Sequence, residues 1–201
     1  MYSGTDKNTT MSFSMFKGIV DSCEDEFELQ LEGGEPLLNR NLYLFMEYAV
    51  STGRCMKVII LSNGILIRQH INRIYSIANW YPILIELKIS INYWLLKQVD
   101  GFLEEMNELL FFTKDTDYIN VVFNVRKRKD VDEGMDELLK NYGLYDRSNI
   151  FYLQSYGKLK DSNYDKPIIV QNIGNWRIYA SDGTCFNQDL IARSEYEKDL
   201  I

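Results

Sequence analysis

The chain has 201 residues, 46% of them hydrophobic and 25% charged, with a net charge of −7. That is too apolar and too aromatic for a disordered chain, and three prolines without a low-complexity tract exclude a linker-rich or collagen-like protein. The acidic balance argues against non-specific nucleic-acid binding, and no apolar run is long enough to cross a membrane as a helix.

The opening MYSGTDKNTT is polar and lacks the apolar stretch of a signal peptide, so the cytoplasm is the expected compartment. Hydrophobic spacing then predicts a helix over 11–23, with Phe13, Phe16, Ile19 and Val20 on one face. FELQLE (27–32) reads as a short strand. A helix over 39–53 follows, with Leu42, Phe45, Met46 and Ala49 on its apolar stripe and Gly53 as its stop. KVIILS (57–62) is a continuous apolar run, as expected of a strand covered on both faces. The alternation continues with helix 66–80, strand 83–91, helix 93–114 with a weak point at Gly101, strand 117–125, helix 131–143 and strand 149–155. Such βα repeats make a parallel sheet of about five strands through right-handed crossovers. An open doubly wound sheet and a partial barrel both fit. Residues 166–186 read as two extended runs split at 172–175, a hairpin, and 187–201 as a terminal amphipathic helix.

Three cysteines, Cys23, Cys55 and Cys185, are odd in number and far apart, which fits reduced thiols acting as small buried hydrophobes. With a single histidine, His70, on a predicted helix, a histidine-rich metal site is not expected, and His70 reads as a solvated surface residue. Arg126-Lys127-Arg128-Lys129 reads as the solvated end of a strand entering a helix, with a phosphate-binding patch as the alternative.

In parallel α/β folds ligands bind at the C-terminal strand ends, so those positions carry the functional reading. Glu32-Gly33-Gly34-Glu35-Pro36 follows the first strand; two glycines let the backbone turn sharply and approach a ligand, and the plainer alternative is a turn ending in a helix cap. Ser62-Asn63-Gly64 follows the second strand, and Ser90-Ile91-Asn92 ends the third. Asn124 and Arg126 interrupt the fourth. Polar groups on four strand ends of one rim point to a shared ligand.

The segment LQLEGGEPLLNRNLYLFMEYAVSTGRCMKVIILSNGILI resembles the middle of a radical S-adenosylmethionine (SAM) enzyme. The resemblance covers roughly residues 11–155. Gly33, Gly34, Glu35 and Pro36 match that family's GGEP turn, which implies contact with the methionyl amino group of SAM. Asn63 falls in the position of its T-N-G strand end, and Ser90 and Asn92 in that of its S-I-D, with Asn in place of Asp. Asn124 matches a further polar SAM contact. The implied fold is a partial (β/α) TIM-like barrel with parallel strands over 1–155, lacking the first strand, followed by a C-terminal hairpin and helix over 156–201 packed on the barrel. The implied cofactors are SAM and a 4Fe–4S cluster, and the implied activity is reductive SAM cleavage to modify or activate a peptide or protein substrate.

The family's C-x-x-x-C-x-x-C cluster motif is absent from this sequence, with Met1 falling about where the cluster loop would end. Three thiolates hold such a cluster. The expectation is therefore a truncated radical SAM-type protein, itself inactive and without a metal. The alternative is a cluster-free protein that binds a ligand or peptide on the same scaffold. Loss of the first strand would expose a sheet edge, so a homodimer through that edge, or a tail segment such as the 166–186 hairpin covering it, is also expected. Neither nucleic acid nor membrane is expected as a partner.

Overall fold

In a computed structural model, residues 10–155, 163–164 and 175–186 are described. The chain divides into two compact units. One spans Cys23–Leu153; the other draws on the segments 2–22 and 154–201.

The first unit holds five strands: β1 (Phe27–Leu31), β2 (Cys55–Ser62), β3 (Leu84–Asn92), β4 (Ile119–Lys127) and β5 (Ser148–Tyr152). All pair in parallel, in the spatial order β1-β2-β3-β4-β5. Every neighbour in the sheet is thus a neighbour in sequence, without the reversal that marks a doubly wound sheet. Right-handed crossovers with such an order keep the connecting helices on one face.

Burial follows that logic. On β3, Ile85, Leu87, Ile89 and Ile91 are fully buried, while Glu86, Lys88 and Ser90 on the opposite face are half-buried. The register aligns Val58, Ile85 and Ile119 in one row and Ile60, Leu87 and Val121 in the next. Each such side chain contributes about 2 kcal/mol by leaving water. Strand β4 alternates in the same way, with Ile119, Val121, Phe123, Val125 and Lys127 buried and Asn120, Val122, Asn124 and Arg126 half-buried. The sheet therefore has an apolar face and a polar one.

Helix α2 (Leu42–Ser51) buries Leu42, Phe45, Met46 and Ala49, the predicted stripe. Helix α3 (Ile67–Trp80) buries Ile67, Ile71, Ile74 and Ile77 at helical spacing. The single helix predicted over 93–114 is two. Helix α4 (Tyr93–Gln98) ends at an extended Val99, and α5 (Phe102–Thr113) begins after Gly101, which adopts φ +73. A left-handed residue ends the helical hydrogen bonding there, and glycine is the residue that adopts it without steric cost. Helix α6 (Met135–Asn141) is shorter than the predicted 131–143, because residues 128–134 form a turn with Asp130 at positive φ.

In the second unit, α1 (Phe13–Asp21) is capped by the Ser12 hydroxyl, which accepts from the Met15 N–H, and it buries Phe16 and Val20. Strands β6 (Ile178–Tyr179) and β7 (Cys185–Phe186) pair antiparallel around a turn at Asp182-Gly183. Gly183 has φ +88, and the Met15 thioether lies 3.0 Å from where a side chain on it would begin. The hairpin turn predicted at 172–175 lies almost wholly outside the described residues, and the helix predicted at 187–201 lies outside them altogether.

Candidate functional site

Because all five strands run parallel, the turns after β1 and β2 and the ends of β3 and β4 share one end of the sheet. Gly33 takes φ +142, a conformation in which a side chain would be strained, and no atom lies within 4 Å of where a side chain on Gly33 or Gly34 would begin. The backbone of this turn is therefore open to close approach. Pro36 opens a short 3₁₀ turn, Pro36–Leu38, with its fixed φ, and Glu35 caps that turn by accepting from the Leu37 N–H at 3.1 Å.

Glu35 also reaches across to the next strand end. Its Oε1 accepts the Ser62 hydroxyl at 2.8 Å and its Oε2 accepts the Asn63 N–H at 2.7 Å. Ser62 is buried, and its Oγ in turn accepts from the Gly64 N–H at 3.0 Å. Asn63 Oδ1 accepts from the Ile65 N–H at 2.9 Å, an Asx turn that leaves its amide NH₂ available. Gly64 adopts φ +81, and a β-carbon there would stand 2.7 Å from Ile89 and 3.1 Å from Phe102. The four letters GGEP and the pair Asn63-Gly64 thus form one hydrogen-bonded rim.

At the next two strand ends the predicted residues take mixed roles. Asn92 is nearly buried and caps α4, its Oδ1 accepting from the Leu95 N–H at 3.0 Å. Ser90 stands opposite Asn124 in the register and is half-buried. Asn124 Oδ1 accepts from Asn149 Nδ2 at 3.4 Å, a long bond. Ser90 and Asn124 lie on the polar face, one row from Asn92 and Arg126.

The basic run is not a solvated strand end. Alternation along β4 sends Lys127 to the buried face, where it pairs with Asp136 at 2.9 Å with only 7% of its side chain exposed. Arg128 grips Asp132 at 2.6 Å and lies 3.9 Å over the Tyr93 ring. That grip outweighs burial and holds the Asp132 carboxyl below the usual carboxylate range. Arg126 stands between Asn92 and Phe151 in the register, its guanidinium 5.6 Å from the Phe151 ring. Its Nε is shut off from water and has no hydrogen-bond partner.

Nearer the middle of the polar face lies an ion network that the sequence reading missed. Glu86 binds Lys57 at 3.0 Å and Lys88 at 3.1 Å and accepts from Asn120 Nδ2 at 3.3 Å, while Asn120 accepts from Arg147 at 3.0 Å. Burial pushes the Glu86 carboxyl up, but the hydrogen bonds and charges of the two lysines outweigh it, and the net shift is downward. The signal was present in LIELKISIN, where Glu86 and Lys88 alternate with apolar residues on one strand face.

His70 is half-buried and paired, its Nδ1 at 2.5 Å from the Tyr43 hydroxyl, with Arg73 over the Tyr43 ring. This ties α3 to α2 and departs from the expected solvated histidine. Cys55 is buried, and burial pushes its thiol up to about 11; Cys185 is exposed, against the expectation of a buried hydrophobe. Among the described residues no three His, Cys, Asp or Glu side chains are grouped to hold a metal ion. The cysteines described do not fit the demands of a 4Fe–4S cluster, which needs three thiolates in one loop. Nor, among the described residues, is any helix long and apolar enough to cross a membrane. No known protein family matches the chain, and no curated protein matches it.

Proposed function

We propose that the Cys23–Leu153 unit is the ligand-holding part of a radical SAM-type partial (β/α) barrel, and that its rim binds SAM without cleaving it. The observation that carries this reading is the joining of two motifs. The Glu35 carboxylate ties the Gly33–Pro36 turn to the Ser62–Asn63 strand end at 2.8 and 2.7 Å. A strand order without reversal, in which each strand pairs with the next in sequence, is the order of a singly wound barrel.

In this reading the exposed backbone of Gly33 and Gly34 takes the methionyl amino group, while Asn63, Ser90 and Asn124 supply neutral hydrogen bonds to the remainder of SAM. Glu35 and Asn92 hold the rim in shape, since their oxygens already serve the backbone. A bound cluster would supply the electron for cleavage, and the described residues offer no set of ligands for it. The chain would thus act as a cluster-free scaffold that binds a ligand or a peptide. The outer edge of β1 pairs with no strand among the described residues, and we place the contact of a homodimer there.

Calorimetric titration with SAM tests the reading. Saturable binding that Gly34→Ala weakens supports it, and absence of binding overturns it. Anaerobic incubation with iron and sulfide tests the lack of cleavage: brown protein that cleaves SAM would refute that part. A strictly monomeric mass by light scattering would remove the dimer.

A further inference from the structure

Helix α5 carries a second stripe besides the one it buries. Phe102, Leu103, Met106, Leu109 and Thr113 face the core. Glu104, Glu108 and Phe111, with Phe112 beside it, recur at helical spacing on the exposed side. On a surface helix that side is polar, and here it turns aromatic in the last turn. Phe111 is 69% exposed and Phe112 47%. A lone exposed apolar residue is ordinary, but here rings on two helices join into one patch. The Tyr75 ring of α3 meets the Phe112 ring edge-on, with centroids 5.9 Å apart, and Lys114 Nζ lies 3.9 Å from the centroid of the Phe111 ring. Arg68 of α3 reaches Glu108 at 3.9 Å, so the two helices lie side by side along this face.

Charge defines what the face accepts. Glu104 and Glu108 stand on the stripe, and Asp115 and Asp117 follow its aromatic end, all of them exposed. Arg68 and Lys114 are cations set among them. The Arg68–Glu108 pair is largely solvated on both sides and does little to quench that carboxylate. Glu104 accepts from the Tyr142 hydroxyl at 2.8 Å, a neutral donor that leaves its charge intact. An aromatic patch bracketed by carboxylates suits an apolar surface bracketed by cations. Glu104 and Phe111 are seven residues apart on one helix, about 10 Å along its axis. A partner helix laid alongside spans that distance in two turns. Its apolar residues at i, i+3 and i+7 then meet the rings, and a Lys or Arg two turns away meets the carboxylates.

We propose that the α3–α5 face centred on Phe111 and Phe112 docks a basic amphipathic helix of a partner protein. Three other occupants fit it worse. In a two-fold contact between copies, the start of α5 meets the end of its mate, and both are acidic, with Glu104 and Glu105 at one and Asp115 and Asp117 at the other. The chain's own segment 187–201 carries Asp189, Glu195, Glu197 and Asp199 against Arg193 and Lys198, so its charge matches the face poorly. An anionic lipid surface is repelled by the same carboxylates. Phe111 and Phe112 close α5 just before β4 begins, at the end of the sheet opposite the Gly33–Asn63 rim. The docking face therefore stands or falls apart from the SAM reading.

Calorimetry on the full chain tests this with a synthetic helix of about 14 residues, four turns, built of Leu and Lys at amphipathic spacing. The controls are its scrambled isomer, which has no apolar face, and the corresponding helix of Leu and Glu. The Leu-Lys helix is expected to bind saturably with a micromolar Kd, to weaken with added salt, and to exceed both controls by about tenfold or more in affinity. Phe111→Ser, at an exposed position, should keep the wild-type urea midpoint and lose about tenfold in peptide affinity. Glu108→Gln should weaken binding and flatten its salt dependence. Absence of binding, equal affinity for the scrambled isomer, or equal affinity of wild type and Phe111→Ser overturns the proposal, because the attraction would then be to the net charge of the chain. Two further results overturn it in favour of another occupant. One is a dimer, by light scattering, that Phe111→Ser dissociates. The other is sedimentation with anionic or zwitterionic lipid vesicles that Phe111→Ser abolishes.

Discussion

The Glu35 carboxylate and the Ser62 hydroxyl, 27 residues apart, meet at 2.8 Å and lock the first two strand ends together. The second carboxylate oxygen holds the Asn63 N–H, and the first also serves Leu37. Glu35→Ala removes all three bonds and strands the buried Ser62 hydroxyl, at a cost of about 2–3 kcal/mol. In a chain of this size that lowers the melting temperature by roughly 4–10 °C. Glu35→Gln should recover part of the loss, because its amide oxygen can still accept from Ser62 and Leu37 while its NH₂ faces the Asn63 N–H without a bond. Differential scanning calorimetry checks the series, and a shift of the Ala variant below about 1 °C contradicts the bracing role.

Gly64 and Gly34 should respond in opposite ways to the same change. At Gly64 a methyl group meets Ile89 and Phe102 and sits on a left-handed backbone, so Gly64→Ala should destabilise by about 2–4 kcal/mol. At Gly34 there is open space and an ordinary φ, so Gly34→Ala should leave urea unfolding unchanged while weakening ligand binding. Equal unfolding midpoints for Gly64→Ala and wild type would contradict the close packing of that turn.

Thiol labelling should separate Cys55 from Cys185. With its thiol pushed up to about 11 and its sulfur buried, Cys55 is a poor nucleophile near pH 8, whereas Cys185 is exposed. Mass spectrometry after brief alkylation of the native protein should find Cys185 modified and Cys55 unmodified until denaturant is added. The raised value also means that the unfolded thiol ionises before the folded one. Stability should therefore fall as pH rises from about 9 toward 11, and Cys55→Ala should lessen that fall in alkaline urea titrations.

At the acid end the signs reverse. Glu86 and Asp132 both have depressed carboxyl values in the folded state. Each contributes stability that is complete above its unfolded value, about 4, and is lost as pH falls through the lower folded value. Glu86→Gln leaves Lys57 and Lys88 on a half-buried face without a counter-charge, which should cost on the order of 2 kcal/mol at pH 7. The gap between wild type and this variant should narrow below about pH 4; a gap independent of pH would mean that the ion network is not its source.

The sheet was legible because its strands are long apolar or alternating runs, such as KVIILS and LIELKISIN, bounded by turn residues. The break between α4 and α5 was legible only as a weak point. A glycine in a helical pattern becomes a stop when the chain must turn left-handed, and that demand is tertiary. At the rim, the positions of Gly33, Glu35 and Asn63 could be read, but not that Glu35 is consumed by the backbone of the neighbouring turn. That depends on two strand ends meeting in space. Charge alone makes the run at 126–129 look like one solvated patch. The alternation of β4 sends Lys127 to one face and Arg126 to the other, and each cation then meets different neighbours. The Glu86 network escaped for a related reason, since Lys57 and Arg147 join it from other segments.

The unbroken β1-to-β5 order has a consequence for how the protein is made. Each new strand docks beside one already formed, and no strand must be inserted between two earlier ones. The sheet can therefore lengthen in step with synthesis, its growing side always offering the partner that the next segment needs.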